Sequence, residues 1–273
     1  MGDTPLALFD LTGRVAVVTG GVGILGRAFC QTLAGAGAKV AVVDLDQEQA
    51  SALAQAIQEE FGPQAAGYGC DIADSEAVAR LADQIEAELG PVDILLNNAA
   101  SKGPSLDAFF APIESFDPAV WRSIMAVNLD GMFYMARTFG SRMAERRRGS
   151  IIQTASIYGL LAPDQRIYEG SDYLGRPINT PAIYSASKAG VIGLTRYLAS
   201  YWGAAGVRVN TLTPGGVESG QNATFQARYG ARVPLGRMAQ IQEMQGAVLF
   251  LASDASSYVT GHNLVVDGGL SAW

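Results

Sequence analysis

Short apolar runs alternate with longer stretches whose apolar residues recur at helical spacing, and this rhythm fills most of a 273-residue chain. Val15 to Thr19, Val40 to Val43, Ala65 to Cys70, Ile94 to Leu96, Ser150 to Thr154, Val207 to Leu212 and Asn263 to Val266 read as strands, because each run is short and most are rich in β-branched residues. Ile24 to Ala36, Gln47 to Phe61, Ser75 to Leu89, a stretch around Ala119 to Glu145, and about Ala182 to Trp202 repeat apolar residues three and four apart, which predicts helices that bury one face. Asp46 is a predicted N-cap, able to accept from the backbone of Gln49. Strand, helix and strand in repetition predict a parallel sheet covered by helices. The expected fold class is α/β, a single doubly wound domain of about seven strands over residues 1–273.

Two segments break the rhythm. Ser101 to Asp117 is rich in proline and phenylalanine, and Leu160 to Pro181 carries Pro163, Gly170, Gly175, Pro177 and Pro181. Both follow strands, so they emerge at the carboxyl edge of the sheet, where open α/β folds bind their ligands. They are the predicted walls of a substrate pocket.

Composition narrows the chemistry. A formal net charge of -7 argues against nucleic acid as a partner, since phosphate binding needs a basic face. The basic run Arg146-Arg147-Arg148 reads instead as a helix C-terminus, where cations meet the negative end of the dipole. Cys30 and Cys70 are too few for a disulfide framework, and with His262 as the one histidine they cannot make a typical zinc site. Both read as buried thiols, and no metal is expected. No apolar stretch reaches membrane-spanning length and no basic leader with a long apolar run opens the chain, so the expected location is the cytoplasm.

Four motifs stand in order along this frame. Thr19-Gly20-Gly21-Val22-Gly23-Ile24-Leu25-Gly26 follows a strand and opens a helix, and its glycines permit a tight turn and close approach of a pyrophosphate to the helix N-terminus. Asp44 ends the second strand, where a carboxylate can accept both ribose hydroxyls and would repel a 2'-phosphate; this favours NAD over NADP. Asn97-Asn98-Ala99-Ala100 lies at mid-chain. Ser156 precedes Tyr184-Ser185-Ala186-Ser187-Lys188, whose spacing puts a phenol and an ammonium on one helix face. The cation is expected to lower the phenol's pKa from about 10 and so make a general acid/base without histidine.

Together these motifs resemble the short-chain dehydrogenase/reductase family, from Leu11 to Gly269, and the resemblance implies a Rossmann-type fold and hydride transfer to or from a nicotinamide cofactor. Asn128, in Val127-Asn128-Leu129-Asp130-Gly131, would bind a water in a proton relay. Ser156 would hold the substrate oxygen, Tyr184 would exchange the hydroxyl proton, and Lys188 would anchor the nicotinamide ribose. For the cofactor, the implied contacts are Thr19, Gly20, Gly23, Ile24, Leu25, Gly26, Asp44, Asp71, Ile72, Asn98, Ala99, Tyr184, Lys188, Pro214, Gly215, Val217 and Ser219. The family pattern T-G-x-x-x-G-x-G is broken at Ile24, which occupies the middle glycine position, and Ala100 stands where a glycine is usual. The resemblance further implies a homotetramer, with the helices near 119–145 and 182–202 pairing across one interface; the sequence alone fits a dimer equally well.

One departure is a spacing. Ser156 and Tyr184 lie further apart than the family usually allows, because residues 160–181 contain an insertion. Its Asp164, Gln165, Arg166, Glu169, Asp172 and Arg176 point to a hydroxyl-rich or charged substrate, such as a sugar, sugar derivative or polyol. The segment at about 218–237 is an expected flap, and Arg166, Tyr158, Gly216 and Arg228 are the candidate substrate residues. Two rivals remain: a 3-oxoacyl-thioester reductase of the same fold, against which Asp44 counts because such enzymes normally prefer NADPH, and a non-catalytic NAD-binding sensor, against which the intact Asn128, Ser156, Tyr184 and Lys188 count.

Overall fold

A computed structural model describes residues 4–173 and 175–273. In chain order the elements are β1 (Val15–Thr19), α1 (Ile24–Gly35), β2 (Lys39–Asp44), α2 (Gln47–Phe61), β3 (Ala65–Gly69), α3 (Ser75–Glu88), β4 (Ile94–Asn97), the short α4 (Leu106–Phe109) and α5 (Pro118–Met125). A π-helical segment, Ala126–Gly131, joins α5 to α6 (Met132–Glu145), followed by β5 (Gly149–Thr154), β6 (Asp172–Tyr173) and β7 (Arg176–Pro177). Then come α7 (Ala182–Trp202), β8 (Val207–Pro214), α8 (Ala223–Gly230), α9 (Gln245–Ala252) and β9 (Asn263–Val266).

Seven strands form one sheet in the order β3-β2-β1-β4-β5-β8-β9, all pairs parallel. The order reverses between β1 and β4, which opens a crevice at their carboxyl ends. Alternation along each strand supplies two cores. Val17, Val43, Leu95 and Ile151 pack under α3, α6 and α7, while Val18, Val42, Leu96 and Ile152 pack under α1, α2 and α9. The strands and the first helices thus lie where hydrophobic patterning places them, and Asp46 does accept from the Gln49 backbone at 3.0 Å.

Three features differ from the pattern reading. The long helix around 119–145 is interrupted by the π segment, and its first turn is set by Asp117, which accepts from Ala119 at 2.7 Å, with Pro118 at the first helical position. Helices α8 and α9, eight residues each, are not among the helices that the periodicity predicts. The insertion contains a two-stranded hairpin, β6 with β7; Leu174 and residues 1–3 lie outside the described residues. Arg146 caps α6 as expected, and no helix among the described residues is long and apolar enough to cross a membrane.

Candidate active site

The turn after β1 is built so tightly that side chains are excluded. Gly20 has φ +62°, and a Cβ on it would come within 2.8 Å of the Ala99 Cα, while a Cβ on Gly26 would strike the Gly20 carbonyl. Ile24 is 52% exposed, so its side chain stands in the open and the turn needs no glycine there. The start of α1 carries no side-chain cap and no acid in its first turn, whereas α2, α3 and α8 are capped by Asp46, Asp74 and Asn222. An uncapped helix start beside a close-packed glycine turn fits a dinucleotide pyrophosphate, because its free N–H groups and the positive dipole end favour an anion.

Neighbouring groups brace this cradle. Thr19 is fully buried and its hydroxyl accepts from Asn98 N at 3.0 Å and Ala99 N at 3.1 Å, so it supports the cradle from beneath. Asn98 Nδ2 donates back to the carbonyls of Thr19 and Gly20, each at 3.2 Å. The Asp44 carboxylate accepts from Val22 N at 3.1 Å and Leu45 N at 2.8 Å, which holds it beside the turn at the end of β2. Asp71 is exposed and Ile72 is buried, packed against Gly131. Past β8, Gly215 N donates to Val266 O at 2.8 Å, Gly216 N to the Tyr229 hydroxyl at 2.5 Å, and Ser219 exchanges hydrogen bonds with the Gln221 side chain.

On α7, Tyr184 and Lys188 stand one turn apart. Lys188 is 3% exposed, and its ammonium donates to the Thr154 carbonyl at 2.9 Å. Burial with no carboxylate to offset it brings its pKa down to about 8. Tyr184 does not show the expected lowering: burial pushes its phenol up, opposed by a hydrogen bond with Ser156, because desolvation of a phenolate outweighs what one hydroxyl returns. Its ring meets Phe109 edge-on at 6.5 Å. Ser156 sits just past β5, and its hydroxyl accepts from Tyr158 N at 3.3 Å. Asn128 lies within the π segment, fully buried, with Oδ1 accepting from Ser101 N at 2.7 Å and Nδ2 donating to Ser101 O at 3.4 Å. A π-turn inserts one residue into a helix and so re-aims a side chain; here it directs the amide onto the loop after β4.

These elements surround a cleft of about 380 Å³, bordered by Leu25, Asn98, Ser156, Tyr158, Tyr184, Lys188, Pro214, Gly215, Gly216, Val217 and Ser219 among the residues singled out from sequence. Arg166 and Arg228 do not border it. Arg166 pairs with Asp164 at 2.8 Å and is 84% exposed at its side chain, and Arg228 donates to the carbonyls of Arg166 and Glu169. Other charged groups of insertion and flap are likewise paired on the protein: Asp164 with Arg232 at 3.1 Å, Asp172 with Asn222 at 2.6 Å, Arg176 with Asp107, and Arg237 with Glu243 at 2.6 Å. Opposite charges on adjacent loops found each other, so the insertion's charges fasten it down instead of facing a ligand.

What the insertion gives the cleft is Tyr168, Ile178, Asn179 and Thr180, joined by Phe225 and Tyr229 of α8 and by Lys102, Phe109 and Phe110. Sequence reasoning missed these. Tyr168 hydrogen-bonds Thr180 through the two hydroxyls and stacks on Phe225 with ring centroids 5.3 Å apart. Burial raises the Tyr229 phenol to about 12, so it stays protonated. The pair Phe225 and Tyr229, four apart behind a capping Asn222 that accepts from Phe225 N at 3.0 Å, was a readable helix signal.

Comparison with known proteins agrees with this geometry. A family model described as enoyl-(acyl carrier protein) reductase matches residues 21–271. D-threitol dehydrogenase of Mycolicibacterium smegmatis is 39% identical over 96% of this chain and 94% of its own length. A gluconate 5-dehydrogenase from Burkholderia cenocepacia, solved with NADP and tartrate, superposes with TM-score 0.87 at 35% identity, over 99% of this chain and 100% of that one. An NAD+-bound xylitol dehydrogenase superposes with TM-score 0.81 at 28% identity, over 95% of this chain and 99% of that one. With motif order, sheet topology and these likenesses in agreement, the chain belongs to the short-chain dehydrogenase/reductase family and is an oxidoreductase acting on CH–OH groups.

Proposed function

We propose that the protein oxidises a secondary alcohol of a polyol or sugar derivative, or reduces the matching ketone, with Tyr184 as general acid/base and NAD as the preferred cofactor. The observation that carries this reading is the Ser156–Tyr184–Lys188 group on the wall of a cleft that Leu25, from the glycine turn after β1, also borders. When bound, the dinucleotide supplies the hydride acceptor and, oxidised, a positive charge beside the phenol. The protein's own groups do the rest. Ser156 donates to the substrate oxygen and fixes the carbinol next to Tyr184. Tyr184 takes the hydroxyl proton in oxidation and returns it in reduction. Lys188, held by Thr154, keeps a cation at the base of the phenol, and Asn128 anchors the loop that closes the cleft beside it.

Asn179 Oδ1 is buried at the cleft with no hydrogen-bond partner among the described residues, and the hydroxyls of Tyr158, Tyr168, Thr180 and Tyr229 border the same space; both favour a polyhydroxylated substrate, because a buried polar group of a site needs a partner. Asp44 supports NAD: its carboxylate stands where a 2'-phosphate would meet a like charge. The partner of the chain is a second and further copies of itself in a homotetramer, for which Phe133, Tyr197 and Tyr201, exposed on α6 and α7 with Arg137 over the Phe133 ring at 5.6 Å, provide an apolar face. A monomer in light scattering would remove that part.

Tyr184→Phe is the direct test. Turnover of an accepted polyol should fall about 10²–10⁴-fold in kcat with a smaller change in KM. Because oxidation needs the phenolate and burial raises the phenol, wild-type oxidation should climb toward alkaline pH, and the variant's residual rate should lose that climb. Wild-type rate in the variant sinks the mechanism, and oxidation of NADPH by 3-oxoacyl thioesters with a silent polyol panel sinks the substrate class.

A further inference from the structure

Among the described residues, the buried side-chain polar atoms without a hydrogen-bond partner are Asn97 Oδ1, Gln153 Nε2, Thr154 Oγ1, Asn179 Oδ1 and Ser185 Oγ. Of these residues, Thr154 and Asn179 border the cleft. A hydroxyl such as that of Thr154 can turn to donate or to accept, whereas an amide oxygen only accepts. Left unpaired and out of water, that oxygen costs free energy that a donor on a ligand would recover. Gln221, the amide that the flap brings to the cleft, is occupied within its own loop: Oε1 accepts from Ser219 N at 2.8 Å, and Nε2 donates to Val217 O at 3.2 Å and Ser219 Oγ at 2.9 Å.

The Asn179 amide is held in one orientation. Its Nδ2 donates to the Phe110 carbonyl at 2.7 Å, and because a carbonyl has no proton to give, nitrogen and oxygen cannot change places. Phe110 is itself fixed at the end of α4, where its N–H donates to Leu106 O at 2.9 Å. On the other side of Asn179, the Thr180 carbonyl accepts from Gln165 Nε2 at 2.9 Å and the Thr180 hydroxyl bonds that of Tyr168. The amide thus bridges the two irregular walls of the cleft. Its anchor, Phe110, is the neighbour of Phe109, whose ring meets Tyr184 edge-on, so the bridge lies toward the Tyr184 end.

We propose that Asn179 is a specificity-determining residue whose Oδ1 accepts a hydrogen bond from a second hydroxyl of the substrate, on a carbon other than the reacting one. The reacting oxygen already has Ser156 and Tyr184, so this donor belongs elsewhere on the molecule. That the donor is a polyol hydroxyl rests on the alcohol chemistry proposed for Tyr184; that a donor is required rests on the amide. A carbonyl, an ether or a carboxylate in the same place would set acceptor against acceptor and be rejected. Asn179 is a binding residue here, not part of the proton path.

Calorimetry on the full chain with NADH present, so that a polyol binds without reacting, tests it. The probes are D-arabinitol, xylitol, galactitol and sorbitol, and for each that binds, the analogues in which each hydroxyl in turn is replaced by fluorine, which keeps the size of the group and cannot donate. At one position other than the reacting one, fluorine should weaken binding about tenfold. Asn179→Leu should weaken the parent polyol by a similar factor and bring the ratio of parent to that analogue close to one, while losses at the other positions persist. A merely structural tie to Phe110 would instead weaken parent and analogue alike and leave the ratio unchanged. The wild-type series stands by itself if the variant folds poorly. The proposal is overturned if the wild type binds every fluorinated analogue as tightly as its parent, if the ratio survives Asn179→Leu, or if no polyol of the panel binds. Failure of the Tyr184 reading looks different: the fluorine effect and its loss in the variant persist while no polyol reduces NAD.

Discussion

The cofactor side of the cleft is a floor of main chain: parallel strands, an uncapped helix start, and glycines that touch backbone. The roof over the substrate side, residues 160–181 with 222–237, is irregular and is fastened by side chains, Asp164 with two arginines, Asn222 with Asp172, Arg176 with Asp107. Main-chain hydrogen bonds and close glycine contacts admit one arrangement, so the floor can be the same for any substrate. Side-chain ties at an exposed rim are individually weak and exchangeable, which suits a wall that has to be re-cut for each ligand.

The contrast can be broken at its strong end first. Gly26→Ala drives a methyl into the Gly20 carbonyl, and overpacking of about 1–3 kcal/mol or more should lower the melting temperature and abolish NADH binding in a fluorescence titration. An unchanged melt with intact binding would show that the turn has slack. Next in size is Asp44→Ala, which should move the ratio of kcat/KM for NAD over NADP toward NADP by about tenfold or more, since it removes a like charge from the path of the 2'-phosphate. If the ratio stays put, another group sets the preference.

Smallest is the roof. Asp164→Asn loosens two arginines and should raise KM for the polyol a few-fold, roughly, with kcat nearly unchanged. Arg166 beside it holds the Asp164 carboxyl down to about 2. A carboxylate whose folded pKa is depressed stabilises above its unfolded pKa and loses that contribution as pH falls through the folded one. Protease cleavage within 160–181 should therefore stay slow at pH 5 and accelerate between about pH 4 and pH 2 in the wild type, while the Asn variant is cleaved readily at both. Equal cleavage of the two proteins at pH 5 would mean that Tyr168, Phe225 and the rest of the apolar contacts hold the roof by themselves.

The same contrast explains what was legible in the chain. Helices α2 and α7 and strand β9 begin and end where periodicity places them, because caps and apolar faces are local signals. The floor was readable for the same reason, and the Ser156–Tyr184–Lys188 order from motif spacing and the family resemblance that it carries. The π segment was not: one extra residue in a helix leaves no mark on the apolar pattern, so Asn128 was named without the bend that aims it. In the insertion the charged residues drew the eye toward a polar substrate, while the groups that face the cleft are Tyr168, Asn179 and Thr180. Composition shows that a loop is polar; which side of it is turned inward depends on partners fifty or more residues away, as Arg232 and Asn222 are from their acids.

Cys30 lies in the middle of α1, fully buried, and Cys70 follows β3, nearly so, and burial raises both thiols, Cys70 to about 11. Neither presents a thiolate at neutral pH, so alkylating reagents wait for the fold to open. The two sulfurs are thus built-in clocks, one in the helix that follows the glycine turn and one at the end of the sheet's edge strand, and their separate labelling rates would time how often each of those places breathes.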